Sequence, residues 1–364
     1  MRALLIGNSK NKLDNIAAAQ LYPFFLYRRQ LRRRICLEFK HIQAYTFSDI
    51  CDASTKKNVD VIIIRPDWRE DSETAERSLE YIRKHNPYKK IIFLDPFDQT
   101  SSRYFSVLPY VNQFLKYQRL KDVQLYTRPF VGGSFLTDYL AHELNYDLNN
   151  WHVGSQAPEG YESRIGTYWN FATSQGFYKT FRKPARRTGE KDIDVFCRLS
   201  FGPPEQVEWY GQYRLAAVQA LVPLEAQYKL AVDRSPEGAR SVSSKQYLDE
   251  IKRSRIVFSP FGWGEITWRD YEAACHGCLL IKPSVDHIDT RPNIFYPGKT
   301  YVPVRWDFQD LEEKCRYYLE NPDEANQIIQ NARQAYMQYF ENQEFINTME
   351  RDILSQAPTP ISVL

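Results

Sequence analysis

The chain has 364 residues, 43% hydrophobic and 26% charged, a globular composition that excludes a disordered protein and, at this length, calls for two cores rather than one. With 48 Lys and Arg against 45 Asp and Glu, the formal charge is +3. Such a balance neither demands nor forbids an anionic ligand and gives little support to a nucleic-acid partner, so none is expected.

The opening MRALLIGN reads as a buried strand and not as a signal sequence. After it comes LYPFFLYRRQLRRRICLEF at 21–39, where Phe24, Phe25 and Tyr27 accompany five arginines. This stretch is either a helix with its apolar side packed inward, leading into a strand, or, through 21–35, a peripheral contact with an anionic membrane surface. VDVIIIRP at 59–66 and KKIIFLDP at 89–96 are short, continuous apolar runs, as expected of strands covered on both faces. Between them lies a helix with Ser72 as N-cap, stopped by Asn86 and Pro87. Strand, helix, strand is a βαβ unit, so the first half is α/β.

Regular patterning fades at about 150–190, and RKPARRTGEKD at 182–192 reads as a linker. A second alternation follows: strands at 193–199, 228–232 and 255–260, helices over YGQYRLAAVQAL and SSKQYLDEIKRS (capped by Ser243 or Ser244), then two further helices to about 342. QAPTPISVL at the end reads as a loosely held tail. The expected division is an N-terminal domain over 1–185, a C-terminal domain over 186–340, and a helix end and tail over 341–364 that packs back on the first domain. Six dispersed cysteines fit reduced thiols in a cytoplasmic protein, and no apolar run approaches the roughly 18 residues that span a bilayer.

The chemistry concentrates in FGWGEITWRDYEAACHGCLLIKP, residues 261–283. RIVFSP brings the chain to the carboxyl end of a strand, where open α/β sheets bind ligands. Gly262 and Gly264 allow close backbone approach. A helix from about Ile266 to His276, ended by Gly277, points its free N–H groups into the crevice, which suits a phosphate. Arg269 can add a bidentate phosphate contact and Glu272 can accept from the two hydroxyls of a ribose. The plainer reading is a set of surface pairs, Glu265 with Arg269 and Arg269 with Glu272. Against it, Glu272 shares the helix face of Trp268, Tyr271 and Cys275, where a carboxylate needs partners. Cys275 and Cys278 form a lone CxxC without further ligands and read as buried thiols.

GEITWRDYEAACHGCLLIKP resembles the donor-binding segment of GT-B glycosyltransferases, in particular the glycosyl-transferase group 1-like and exostosin-like C-terminal domains. The likeness covers about 190–340. It implies two Rossmann-like domains facing a cleft, with a nucleotide-activated sugar on the second domain and a glycan or lipid-linked acceptor on the first. The family's ribose-binding glutamate falls on Glu272. Donor contacts are expected from Arg198, Arg214, Gly262, Gly264, Glu265, Thr267, Arg269 and Glu272. Many retaining members carry a second glutamate eight residues earlier; here that position is Gly264, with Glu265 one residue out of register.

The reaction implied is metal-independent sugar transfer in polysaccharide biosynthesis, inversion being favoured over retention. For a general base the loop IIFLDPFDQTSSRYF offers Asp95 and Asp98 beside hydroxyl side chains; Asp95-Pro96 starting a simple turn is the alternative. A sugar-nucleotide epimerase on the same frame, or a non-catalytic nucleotide-sugar-binding protein of a polysaccharide assembly system, are the competing readings.

Overall fold

Parity along the strands sets the first layer of organisation. In the computed structural model, which describes residues 1–8, 10, 15–55, 58–182, 191–202, 208–234 and 242–355, alternate residues of the first strands enter two different cores. Leu4, Ile6, Ile62 and Ile64 pack with Phe47, Leu79 and Ile82, whereas Ala3, Leu5, Val61 and Ile63 pack with Phe24, Leu31 and Trp169. A sheet buried on both faces must be apolar at every position, which is why these strands read as unbroken apolar runs.

The first lobe runs β1 (Arg2–Gly7), α1 (Asn15–Leu26), α2 (Arg28–Ile35), β2 (Glu38–Ile42), α3 (Phe47–Thr55), β3 (Val61–Arg65), α4 (Ser72–His85), β4 (Lys90–Leu94), β5 (Gln113–Lys116), β6 (Gln118–Leu120), α5 (Phe135–His142), β7 (Ile165–Thr167) and α6 (Gln175–Arg182). Among the described residues its sheet has the order β2-β1-β3-β4-β5-β7, with parallel pairings throughout. The N-cap of α4 is Asp71 and not Ser72: the Asp71 carboxylate accepts from the Thr74 backbone N–H at 2.8 Å, a stronger acceptor one residue earlier.

The second lobe runs β8 (Ile193–Cys197), α7 (Trp209–Gln219), β9 (Leu230–Val232), α8 (Ser244–Lys252), β10 (Ser254–Phe258), α9 (Trp268–Cys275), β11 (Leu279–Pro283), β12 (Ile288–Thr290), β13 (Val302–Val304), α10 (Leu311–Glu320), α11 (Pro322–Glu341) and α12 (Glu344–Thr348). Its sheet has the order β13-β11-β10-β8-β9, again parallel. Two Rossmann-like α/β lobes therefore face each other across a cleft, the GT-B architecture.

Three features tie the lobes together. β12 pairs antiparallel with β6, joining a strand of one lobe to a strand of the other. Phe345 of α12 sits among first-lobe aromatics, 5.2 Å from Phe24 and 4.4 Å from Trp169, centroid to centroid. Trp268, at the start of α9, stacks on Phe171 at 4.6 Å.

The aromatic side of residues 21–35 is used in this core. Phe24 and Tyr27 are buried and Tyr27 stacks on Phe345, which leaves mainly Phe25 and the arginines of α2 outside. The membrane contact expected here is corrected on that ground, since its apolar anchors are spent on packing. No helix among the described residues is long and apolar enough to cross a membrane. Most of the expected linker at 182–192 and all of the tail at 356–364 lie outside the described residues.

Candidate active site

After β10 the chain enters residues 261–267, and a buried ion pair shapes the turn. The Asp270 carboxylate accepts from Ser259 Oγ at 2.6 Å and from the Thr267 N–H at 2.9 Å. Lys282 Nζ lies 3.5 Å from Asp270, both side chains fully buried, and donates to the Glu265 carbonyl at 2.8 Å. α9 then starts at Trp268, with Thr267 as its N-cap. Thr267 spends its hydroxyl on Ser259 and Asp270, so it builds the helix start instead of reaching into the cleft. At the other end Gly277, with φ of 64°, makes the left-handed turn into β11.

Two arginines converge beside this turn. Arg269 donates through Nη2 to the Arg198 carbonyl at 2.6 Å, and its Nε is buried without a hydrogen-bond partner. Arg214, from α7, donates to the carbonyls of Ser200 and Phe261. Burial and the neighbouring Arg269 pull the Arg214 guanidinium down to about 10, with Tyr210, Cys197 and Asp98 opposing more weakly. Among the described residues neither cation has a carboxylate within ion-pair distance. Like charges held together and desolvated are costly unless an anion joins them.

Arg198 is different. It pairs with Glu250 at 2.8 Å and with Asp233 at 3.0 Å, so its charge is already answered. Its contribution to the site is the backbone carbonyl that holds Arg269.

Glu272 turns inward, but toward α8 and not toward the aromatic side of its own helix. It is half-buried, and its Oε2 accepts from the Tyr247 hydroxyl at 2.9 Å. Burial raises its carboxyl above the ordinary range, while the Tyr247 bond and the Arg269 charge pull it back. Tyr247 was not legible as a site residue, because in SSKQYLDEIKRS it occupies an ordinary position on a helical face.

The two loop glycines have separate steric roles. A Cβ on Gly262 would fall inside the Arg214 guanidinium, and one on Gly264 inside the Asp98 backbone carbonyl. The close approach expected for a ligand is thus made by an arginine in one case and by the opposite lobe in the other.

That lobe meets the loop through a row of hydrogen bonds. Gln99 Nε2 donates to the Trp263 carbonyl at 2.8 Å, and Ile266 N donates to Gln118 Oε1 at 3.1 Å. Thr100 Oγ1 donates to Glu265 Oε1 at 2.6 Å and its N–H to Oε2 at 3.3 Å. Glu265 is fully buried by these contacts, so its carboxylate faces the first lobe and not the arginines. Burial raises its carboxyl, with the Thr100 bonds opposing.

The two candidate bases part company. Asp95 is completely buried, 2.5 Å from Lys116 Nζ and 2.9 Å from Ser102 Oγ. It braces its own loop and has no path to a substrate. Asp98 is half-buried at the seam, its Oδ1 accepting from Tyr117 Oη at 2.5 Å and Gln118 Nε2 at 3.2 Å. It lies against Gly264 and within electrostatic reach of Arg214. Cys275 and Cys278 are buried free thiols, and Cys278 Sγ donates to the Ile251 carbonyl at 3.1 Å.

Residues 199–351 match the family model described as "Glycosyl transferase-like". The second lobe is thus similar to glycosyl transferase-like domains. No curated protein matches the chain. Solved structures similar to it include S. aureus MnaA with UDP, at 10% identity and TM-score 0.46, covering 98% of both chains. Anabaena HepE with UDP and glucose aligns at 9% identity and TM-score 0.49, over 96% of this chain and 99% of its own. An alpha-glucosyltransferase with UDP and a 13-mer DNA aligns at 8% identity and TM-score 0.48, over 95% of this chain and 100% of its own. That last match, with a second DNA-bound structure of an alpha-glucosyltransferase, overturns the expectation that nucleic acid is excluded. A near-zero net charge averages over the whole surface and carries no information about a local basic patch.

Proposed function

We propose that this glycosyl transferase-like protein transfers a sugar from a nucleoside diphosphate donor bound on the second lobe. The observation that carries the reading is the pair of desolvated guanidiniums, Arg214 and Arg269, with no carboxylate in ion-pair contact among the described residues, Asp270 and Glu272 acting on Arg269 only from a distance. A diphosphate supplies the missing negative charge and can accept from both forks. Glu272, oriented by Tyr247, accepts from the ribose hydroxyls. Asp98 stands across the seam on the acceptor side.

In the reaction proposed, an acceptor hydroxyl attacks the anomeric carbon and its proton passes to the Asp98 carboxylate. The glycosidic bond forms as the bond from the anomeric carbon to the diphosphate breaks, and the departing charge is held by Arg214 and Arg269. A single displacement of this kind inverts the anomeric centre. Base-catalysed attack typically contributes about 10²–10⁴-fold, which sets the loss expected for Asp98→Asn.

The test is donor consumption from a panel of UDP-sugars. Wild type should release UDP, with Asp98→Asn slowed by about that factor while binding UDP normally, and Glu272→Ala weakened in binding. Full turnover in both variants would remove the site assignment. Product analysis without acceptor separates transfer from epimerisation: an epimerised donor with no UDP release would favour the latter.

A further inference from the structure

Gln118 stands where the two halves of the site meet. It belongs to β6, whose pairing with β12 of the second lobe sets it opposite Thr290, and its side chain is completely buried. Its Nε2 donates to Asp98 Oδ1 at 3.2 Å, and its Oε1 accepts from the Ile266 N–H at 3.1 Å. The orientation of this amide is forced. An ionised carboxylate only accepts and a backbone N–H only donates, so exchanging Oε1 and Nε2 would lose both bonds.

Asp98 Oδ1 receives a second donor, Tyr117 Oη, at 2.5 Å. Both donors favour the ionised carboxylate, which is the form that can take a proton. Lys116 of the same lobe and Arg214 of the other lie within electrostatic reach and act in the same direction. Gln118 differs from Tyr117 in one respect: the same amide that donates to Asp98 is tied to the segment carrying Gly262 and Gly264. If that segment moves off the first lobe, Oε1 loses the Ile266 N–H. The amide is then free to turn and take its donor away from Asp98.

We propose that Gln118 is a positioning residue that couples the Asp98 carboxylate to the loop before α9, so that the base is held in place only while that loop is seated on the first lobe. The inference rests on the reading of Asp98 as the base.

The test follows UDP release from the same UDP-sugars as a function of pH, with the full chain, and deuterium exchange at the Ile266 amide. Gln118→Glu keeps an oxygen for Ile266 but sets a second carboxyl against Asp98, and two carboxyls in contact share a proton. Gln118→Met gives up both bonds. Tyr117→Phe removes one oxygen and leaves Gln118 in place, which makes it the variant safest for folding. In all three the acid limb of the rate profile should move up, by about one pH unit or more where a bond to the carboxylate is lost. Exchange at Ile266 should stay at the wild-type rate in Gln118→Glu and Tyr117→Phe and become about tenfold faster or more in Gln118→Met. A residue that only props the seam would lower the rate alike at every pH. The coupling is overturned if Asp98→Asn is slow yet the acid limb stays in place in the Gln118 variants, or if Ile266 exchanges equally in all of them. Wild-type turnover by Asp98→Asn would instead overturn the reading of Asp98 as the base, and this inference with it.

Discussion

Burial opposes the charge on both Arg214 and Arg269; Arg269 lowers Arg214 further, whereas around Arg269 itself Tyr247, Cys197, Asp270 and Glu272 outweigh the burial. An anion relieves both, which is why replacing either should cost binding far more than folding. Charge-assisted hydrogen bonds contribute about 1.5–3 kcal/mol, so Arg269→Gln is expected to weaken UDP binding by about tenfold or more in calorimetry. Gly264→Ala should be as damaging to activity while leaving the arginines untouched, because its Cβ meets the Asp98 carbonyl and holds the lobes apart. Gly176→Ala, whose backbone is not left-handed and whose Cβ would meet only Ser174 Oγ at 3.8 Å, controls for substitution as such. A Gly264→Ala protein as active as wild type would show that the seam is not closed during turnover. At this scale the sequence placed Arg269 and Glu272 at the start of one helix, but helical spacing set Glu272 on the aromatic face whereas it turns toward Tyr247 of α8. It could not separate Asp95 from Asp98, because three residues of loop carry one carboxylate into a buried ion pair and the other to the seam.

Among the elements, the turn before α9 was readable because its signals agree: a strand end, two glycines and Gly277 after the last turn; the Thr267 cap that starts the helix at Trp268 was not. β7 and α6 were not readable in the region where patterning fades. A strand of three residues is too short to show a period, and α6 spans only eight. Tertiary contacts define them, β7 by pairing with β5. The C-terminal α12 is short as well, yet Phe345 fills a space between Phe24, Tyr27 and Trp169. Removing a buried phenylalanine costs roughly 3–5 kcal/mol. Phe345→Ala should therefore lower the melting temperature by several degrees; an unchanged melt would mean that α12 does not hold the lobes together.

For the whole molecule, acid should loosen the fold before most carboxylates titrate. His276 is pulled down to about 4 and His287 to about 3, in both cases by burial first and nearby lysines second. Their unfolded values lie near 6.5, so below that pH the unfolded chain takes up protons that the folded chain refuses. Stability is thus complete above about pH 6.5 and falls as pH drops toward 4, with a slope approaching about 2.7 kcal/mol per pH unit for two protons. Urea unfolding at pH 7, 6 and 5 reads this directly, and His276→Gln with His287→Gln should flatten it. A midpoint that stays level across that range in wild type would mean that the two imidazoles titrate normally.

The claim on which the site rests is that a diphosphate lies between Arg214 and Arg269. Titration calorimetry of UDP into wild type and into the Arg214→Gln/Arg269→Gln double variant tests it, with uridine as the ligand lacking phosphate. The account predicts measurable UDP binding to wild type, loss of at least two orders of magnitude in the double variant, and equally weak uridine binding to both. Equal affinity of the two proteins for UDP would contradict it.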